Sequence, residues 1–252
     1  MKALAALLAL AAYSTVAYGQ SAPPAPGIAD NSFLIEEAYN QERAVVQHIS
    51  ALMWHPSDGA WAYTFTQEWP LAGQTHQLSY SVPIARPGST GGTEFGDIAL
   101  NYRYQLVRSG EPGEGGRVAV APRVTLLMGN SSNGLGLQAN LPVSVIVTPR
   151  LVAHANAGAT VARRRADALN LGGSMIWLAR PAVHLLLEAT WSREGDVSTW
   201  LLSPGVRWAH NLAKGLQIVP GIGIPVGIGP NAGERAVFFY LSFEHPFRSL
   251  GP

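Results

Sequence analysis

This sequence lacks cysteine, has very little lysine, and has no long apolar segment beyond its first residues. The absence of cysteine excludes a disulfide framework, a thiolate metal site and a lipid-modified N-terminal cysteine. Only 13% of the 252 residues are charged and the formal net charge is +1, a balance that gives no indication of nucleic-acid binding. Lys214 is the only lysine after Lys2, so arginine, which suits fixed ion pairs with carboxylates, carries almost all the positive charge.

The N-terminal residues have the pattern of a secretory signal peptide, residues 1–19. Met1-Lys2 is a short positive region, Ala3 to Ala12 is an apolar stretch, and Ala17-Tyr18-Gly19 is a small-x-small cleavage site before Gln20. A retained membrane anchor is disfavoured because the apolar stretch is shorter than the roughly 20 residues that cross a bilayer. No later stretch is long and charge-free enough for a transmembrane helix, so a membrane location requires a barrel.

From Val45 onward, apolar residues alternate with polar ones, which is the period of a β-strand. The pattern predicts about twelve strands of roughly ten residues, the length of a tilted membrane-spanning strand. Ten and fourteen strands are alternatives, and residues 45–252 form one barrel in each case. The predicted strands are Val45 to Trp54, Trp61 to Trp69, His76 to Ile84, Asp97 to Val107, Val118 to Met128, Leu135 to Val147, Leu151 to Val161, Leu169 to Leu178, Ala182 to Trp191, Thr199 to His210, Leu216 to Ile228 and Ala236 to Phe247.

The two faces of these strands differ in chemistry. In the fourth strand Leu100 and Tyr102 alternate with Asn101 and Arg103, and the sixth and seventh strands repeat the theme. A β-sandwich also alternates, but its polar face looks to bulk water and is normally richer in Lys and Glu. Asn, Gln, Ser, Thr and Arg on one face and apolar residues on the other predict an antiparallel, up-and-down transmembrane β-barrel with a polar lumen. This fold implies outer-membrane lipid as a partner.

The last predicted strand, Ala236 to Phe247, is typical of the closing strand of an outer-membrane barrel. Its large apolar residues and aromatics fall on every second position until a terminal Phe. We expect the barrel-assembly machinery to recognise it. In the strand before it, the glycines of GIGIPVGIG suggest room for a bulky neighbour.

Residues 20–44 form a separate N-terminal segment. Asn31-Ser32 is a candidate N-cap before Phe33 to Ala38, which predicts a short helix of one or two turns. The helix is expected either at the periplasmic mouth or inside the lumen as a small plug, and the sequence does not choose between these places. The stretch Phe33 to Tyr39 is a candidate gate.

Several blocks of the chain match a known family. FLIEEAYNQE, VVQHI, FTQEWPL, QLSYSVPIA, FGDIALNYRYQL, APRVTLLMG, QANLPVSV, RLVAHANAG and YLSFEHPF occur in order between Phe33 and Phe247. In these blocks the chain resembles the outer-membrane transporter family of the phenol meta-cleavage degradation pathway. The resemblance implies a Gram-negative outer-membrane barrel that passes small, often aromatic or hydrophobic compounds, with no catalytic residue and no cofactor. It departs at Met128-Gly129, where a Pro-containing turn is expected.

The candidate site residues are the polar ones that face the lumen. The resemblance implies that these could matter in transport: Glu68, Asp97, Asn101, Arg103, Gln105, Arg123, Gln138, Asn140, His154 and Asn156. The alternation adds Glu188 and Arg207 as inward charges. We expect the three arginines to polarise the path, with Glu68 and Glu188 as their partners. Alternatively, these charges pair across the lumen and fill a narrow barrel. The histidine spacing predicts no metal site.

The sequence predicts an outer-membrane channel for small, hydrophobic or aromatic solutes that is not an enzyme. The first alternative is a lumen-filled barrel with a structural or ligand-sensing role. The second is an outer-membrane lipid hydrolase, because Ser132-Asn133-Gly134 is similar to the Ser-Asn-Gly piece of outer-membrane phospholipase. That enzyme needs a His two residues before its Ser to accept the hydroxyl proton. Asn130 stands there in this chain, which favours a polar hairpin loop.

Overall fold

A computed structural model of the chain describes residues 28, 32–71, 73–108, 118–129 and 134–246, apart from the side chain of Lys214. The predicted signal peptide, Asn31, most of the Ser-Asn-Gly piece and Phe247 lie outside the described residues. Within the described part, no helix is long and apolar enough to cross a membrane.

Twelve antiparallel strands close into one barrel, which confirms the predicted fold class. Each strand pairs with its neighbours in sequence, and β1 pairs with both β2 and β12, so the sheet has no free edge. The 3₁₀ turns are Ala213–Gly215 and Gly229–Asn231. The strands are β1 (Val45–Trp54), β2 (Trp61–Leu71), β3 (His76–Arg86), β4 (Glu94–Phe95, Ile98–Tyr104 and Val107–Arg108), β5 (Val118–Val120 and Arg123–Met128), β6 (Leu135–Thr148), β7 (Leu151–Ala162), β8 (Ala168–Arg180), β9 (Val183–Glu194), β10 (Val197–Trp208 and His210–Asn211), β11 (Gln217–Gly223 and Val226–Gly227) and β12 (Val237–Pro246).

The barrel has a proximal end, where β1 begins, and a distal end, where β1 finishes. The proximal connections include two tight turns, 149–150 and 181–182, whereas the distal connections 55–60 and 87–93 are longer. One distal connection is shorter than predicted. The predicted strands leave Ser192 to Ser198 as a loop, but most of these residues belong to β9 and β10. The two strands join in a tight turn because Gly195 adopts a φ of +57°.

Four of the predicted strands are interrupted. The tenth breaks at Ala209 and the eleventh at Ile224-Pro225. The strand predicted at Val118 to Met128 breaks at Ala121-Pro122, since a proline has no N–H to donate to the ladder. The strand predicted at Asp97 to Val107 is paired only from Ile98 to Tyr104 and again from Val107. Asp97 therefore lies in a break of β4 instead of within a strand.

The barrel is polar inside and apolar outside. Many leucine, valine and tryptophan side chains on the outer face are more than one third exposed, Leu137 and Trp177 among them. A continuous apolar surface of this kind is unusual on a soluble protein and matches the lipid-facing band of membrane barrels. The buried polar wall residues are Gln47, Gln77, Ser79, Asn101, Arg103, Gln105, Thr125, Asn140, Ser144, His154, Asn156, Thr160, Ser174, His184, Glu188, Ser203, Arg207, Gln217 and Ser242.

Candidate functional site

The chain segment before β1, Ser32–Gln41, lies inside the barrel, and we call it the lumen segment. Ile28 N donates to Pro181 O, 3.4 Å away, at the proximal end. At the other end of the segment, Asn40 Nδ2 donates to Gln74 O, 2.8 Å away, in a proximal turn. Ile28 and Asn40, on either side of the middle of the lumen segment, therefore both bond to proximal connections.

The helix predicted at Phe33 to Ala38 does not form. The backbone N–H groups of Phe33, Leu34 and Ile35 donate to Oε1 of Glu188 at 2.9, 2.8 and 3.3 Å. These three donors would have no partner inside a helix either, so Glu188 alone does not prevent one. The N–H groups of Glu36 and Ala38, which a helix would bond to carbonyls four residues back, donate to Asn156 Oδ1 and Ser144 Oγ instead. The sequence pattern was sufficient for a helix but could not reveal these competing acceptors.

Glu188 holds the first part of the lumen segment. Its side chain projects from β9 and is only 1% exposed. Hydrogen bonds to a carboxylate are stronger than neutral ones, so three converging amides make a firm anchor. The second oxygen, Oε2, is buried without a hydrogen-bond partner among the described residues.

Phe33 occupies a slot that glycines leave in the barrel wall. Its ring lies 5.4 Å from that of Phe238 and 5.3 Å from that of Tyr240, between ring centroids. A Cβ atom at Gly221 would lie 2.5 Å from Phe33 Cζ, and one at Gly205 would lie 2.8 Å from Phe33 Cε2. Gly221, in the GIGIPVGIG stretch, thus makes room for a bulky neighbour as predicted, and Gly205 of β10 adds to that room.

The backbone of the middle of the lumen segment forms hydrogen bonds to both sides, as a strand does, but its partners are side chains of the barrel wall. Glu36 N donates to Asn156 Oδ1 at 2.7 Å, and Asn156 Nδ2 donates to Glu36 O at 2.6 Å. Ala38 N donates to Ser144 Oγ at 2.8 Å, and that hydroxyl also contacts His154 Nδ1 at 2.6 Å. Amide and hydroxyl side chains satisfy the buried backbone of the segment.

Arg103 and Gln105 of β4 hold the last part of the segment. Arg103 Nε donates to Asn40 Oδ1 at 2.8 Å, and its terminal nitrogens donate to the carbonyls of Glu37 at 3.0 Å and Tyr39 at 2.6 Å. Gln105 Nε2 donates to Ala38 O at 2.7 Å. Arg103 is 5% exposed, so these bonds are shielded from water.

The carboxylate of Glu36 lies between two arginines. Its Oε1 is 3.3 Å from Arg103 Nη1, and its Oε2 is 3.2 Å from Arg123 Nε. The second contact is an ion pair without hydrogen-bond alignment. Asn140 Nδ2 donates to Oε2 at 2.7 Å. Glu36 thus pairs with both arginines. The predicted partners Glu68 and Glu188 make no ion pair as short as these among the described residues, but the charge of Glu68 acts on Arg103 and Arg123 and that of Glu188 on Arg207.

Glu36, Arg103, Arg123 and Asn140 form what we call the Glu36 cluster. The remaining predicted site residues lie on the barrel wall, some beside this cluster and some away from it. Glu68 Oε2 accepts from Gln77 Nε2 at 2.9 Å, and Gln138 Oε1 accepts from Arg123 at 2.8 Å. Asn101 bonds to Ser79 and Thr125 on neighbouring strands at 3.1 and 2.7 Å.

Two predicted site residues lie outside the Glu36 cluster. Asp97 forms an ion pair of 3.0 Å with Arg165 in the distal connection 163–167. Arg207 is fully buried, with an Nη2 atom 3.3 Å from His184 Nδ1.

Sequence reasoning missed Glu36 as the partner of the arginines. The strands have as many predicted inward acids, Glu68, Asp97 and Glu188, as predicted inward arginines, so the alternation did not call for a further acid. Glu36 and Glu37 lay in the predicted helix. Sequence reasoning also missed Ser144, whose hydroxyl resembles any other polar wall residue in the alternation.

Two cavities flank the lumen segment. A cavity of about 570 Å³ lies on the distal side, between Glu36 and Arg123 at its base and Leu34 and Leu201 on its walls. A second one of about 410 Å³ lies beside β1 and β2, against Phe33 and Glu68. Residues Phe33 to Glu36 border both, so the segment separates them.

Gly221→Ala is expected to displace Phe33 and loosen the lumen segment. Burying a phenylalanine contributes about 1.5–3 kcal/mol, so the undocked fraction rises about 10-fold to 100-fold. The measurement is the rate at which a maleimide labels a Ser32→Cys variant, since the chain has no other cysteine. Gly173→Ala is the matched control, because its new Cβ meets nothing closer than 3.6 Å. Equal labelling rates in both variants would contradict the slot.

Solved structures share the fold, while the sequence comparisons match nothing. No family model and no curated protein matches the chain. The KdgM porin aligns with a TM-score of 0.54 at 12% identity, over 81% of this chain and 99% of that structure. The NanC porin gives 0.55 at 10% identity over 78% and 98%. The COG4313 outer membrane channel from Pseudomonas putida F1 gives 0.56 at 9% identity over 82% and 97%. At such identities the likeness establishes a porin-like barrel fold.

Proposed function

We propose that the protein is an outer-membrane channel for small solutes and that the lumen segment is its gate. The observation that carries the proposal is that buried polar side chains of the barrel hold Ser32–Gln41 across the lumen. Hydrogen bonds and ion pairs to a polar wall can be exchanged for bonds to water more easily than an apolar core can be exposed. A segment held in this way can leave the lumen without unfolding the barrel.

The outer membrane is the proposed location because the outer face of the barrel is apolar and its lumen polar. The proximal end, where the connections 149–150 and 181–182 are tight, faces the periplasm in this proposal. The closing strand β12 is then the segment that the barrel-assembly machinery recognises.

Leu141→Arg is expected to destabilise the barrel in lipid by about 2–4 kcal/mol, because Leu141 lies on the outer face in the middle of β6. Val147→Arg, on the same outer face next to the proximal end of β6, is the control and should cost about 0–1 kcal/mol. The measurement is the free energy of unfolding by guanidinium in phospholipid vesicles. Equal costs at the two positions would contradict a lipid-facing band.

The proposed solutes are small and largely apolar, with aromatic compounds as the favoured class. The family resemblance supports this class, and so do the apolar residues Leu34, Ile35 and Leu201 that line the distal cavity. Polar groups at the base of the same cavity would orient a solute that carries one polar substituent.

A lumen-filled barrel with a structural or ligand-sensing role is the second candidate. The number of buried bonds that Arg103 makes to the lumen segment favours it, because a segment held so firmly resists displacement. The same contacts therefore serve a gate or a permanent plug, and transport measurements separate them.

The test is solute flux through purified protein in liposomes, with a small sugar, benzoate and phenol as solutes. The comparison is the chain from Gln20 against a variant that lacks residues 20–41, which keeps the turn in which Val45 N donates to Glu42 O. The proposal predicts selective, slow flux through the intact protein and at least tenfold faster flux without the segment. If neither protein passes any solute, although gel mobility shows that both are folded, the channel proposal is wrong and the lumen-filled barrel remains.

A further inference from the structure

Arg103 and Arg123 are direct cross-strand neighbours in the register of β4 and β5. Both side chains turn into the lumen, where Arg103 is 5% exposed and Arg123 is 24% exposed. Like charges at directly opposed positions of a sheet repel each other. Two arginines in this arrangement therefore call for an anion between them.

The neighbours of the pair in the register row do not supply that anion, and the wall acid Glu68 of β2, whose charge acts on both arginines, is hydrogen-bonded to Gln77. The register row that runs through the arginine pair contains amides, hydroxyls and a glycine, and no acid. In order along β3 to β9 the row is Gln77, Arg103, Arg123, Asn140, Gly158, Asn170 and Ser192. The carboxylate that bridges the arginines comes from Glu36 of the lumen segment.

We propose that the Arg103–Arg123 pair is a binding site for the carboxylate of a small aromatic or otherwise apolar acid, and that Glu36 is its built-in competitor. The inference rests on the proposed gate, since the solute takes the place of Glu36 as the segment leaves. Solute binding and gate opening are then coupled, because the same two guanidinium groups cannot hold both carboxylates.

The geometry around Glu36 fits a carboxylate more closely than other groups. One oxygen meets Arg103 and the other meets Arg123, with Asn140 Nδ2 as a further donor at 2.7 Å. A carboxylate offers two charged acceptor oxygens, whereas a phenol or a carboxamide offers one neutral acceptor. Charge-assisted bonds of this kind are roughly twice as strong as neutral ones.

The distal cavity gives a solute access to the pair before the segment moves. Glu36 is 19% exposed and borders the cavity of about 570 Å³ together with Arg123 and Asn140. Leu201 of β10 and Leu34 of the lumen segment line the same cavity. A solute with an apolar body and one carboxylate can therefore rest its body on these side chains while its charge approaches Arg123.

The experiment measures benzoate binding by calorimetry on detergent-solubilised protein, with benzamide as the neutral analogue of the same shape. In Glu36→Gln the competitor loses its charge, and we expect benzoate to bind at least about tenfold more tightly than to the native chain. Benzamide binding should stay the same in both proteins. Adding Arg123→Gln to Glu36→Gln should remove the gain for benzoate.

Glu244→Gln is the matched control for the change of charge. Glu244 also points inward, but it lies on β12 and accepts from Gln47 Nε2 at 2.6 Å. If Glu244→Gln strengthens benzoate binding as much as Glu36→Gln does, or if benzamide gains equally, the site is wrong. The benzoate experiment measures binding and not flux, so it can fail while the channel proposal stands. The channel proposal fails separately, if the variant without residues 20–41 shows no flux.

Discussion

Replacing Arg103 by alanine is expected to open the channel, with an increase of about 100-fold or more in the fraction of time that it conducts. Arg103 donates to Asn40, to the carbonyls of Glu37 and Tyr39, and to Glu36. Removing one partner of a buried charged network costs about 3–5 kcal/mol. Here that cost falls mainly on the docked state of the lumen segment, because the segment supplies most of the acceptors.

The measurement for Arg103→Ala is the open fraction in single-channel recordings from planar bilayers, on protein whose gel mobility shows a folded barrel. Arg86→Ala is the matched control, because Arg86 on β3 donates to the carbonyl of Gly59 in a distal connection at 3.3 Å. If the fraction of time that Arg103→Ala conducts equals the native and Arg86→Ala values, the segment does not gate the lumen.

Glu188→Gln is expected to have the second largest effect, about a 10-fold to 100-fold increase in the open fraction. The substitution keeps the shape of the side chain but makes neutral the acceptor of three backbone N–H groups. Each charged bond that becomes neutral loses on the order of 1 kcal/mol. The first part of the lumen segment then docks more weakly, while the contacts of Arg103 remain.

The readout for Glu188→Gln is again the open fraction in bilayers. Glu244→Gln removes an equal charge from a lumen carboxylate that bonds to Gln47 of the wall, so it should leave the open fraction near the native value. Equal increases in both variants would assign the effect to the overall charge of the lumen and not to the anchor.

The strands could be predicted because membrane strands face two different environments at once. The alternation predicted β1 at Val45–Trp54, which is the range in the structure. The ends of most other strands differ from the predicted ends by one to three residues. The breaks at Ala121-Pro122 and Gln105-Leu106 were less visible, because alternation continues through a short interruption. The tight turn at Gly195 was hidden by polar residues that suit a loop or a strand end.

The candidate site was predictable in its residue types but not in its arrangement. Arg103, Gln105, Asn156 and Glu188 were identified as inward-facing because their neighbours in sequence are apolar. Their bonds to the backbone of the lumen segment depend on the path of the chain before Val45, which no periodicity records. Local propensity at Phe33 to Ala38 favoured a helix, and the buried acceptors of the barrel overrode it.

A reversible cross-link tests the central claim most directly. Ser32 Oγ lies 2.7 Å from Ser174 Oγ of β8, so Ser32→Cys with Ser174→Cys brings two sulfur atoms close in a chain with no other cysteine. In the Glu188→Gln background, oxidation should lower the raised open fraction to the native level, and reduction should raise it again. If the oxidised protein, shown by thiol labelling to be fully cross-linked, conducts as well as the reduced protein, the lumen segment is not the gate.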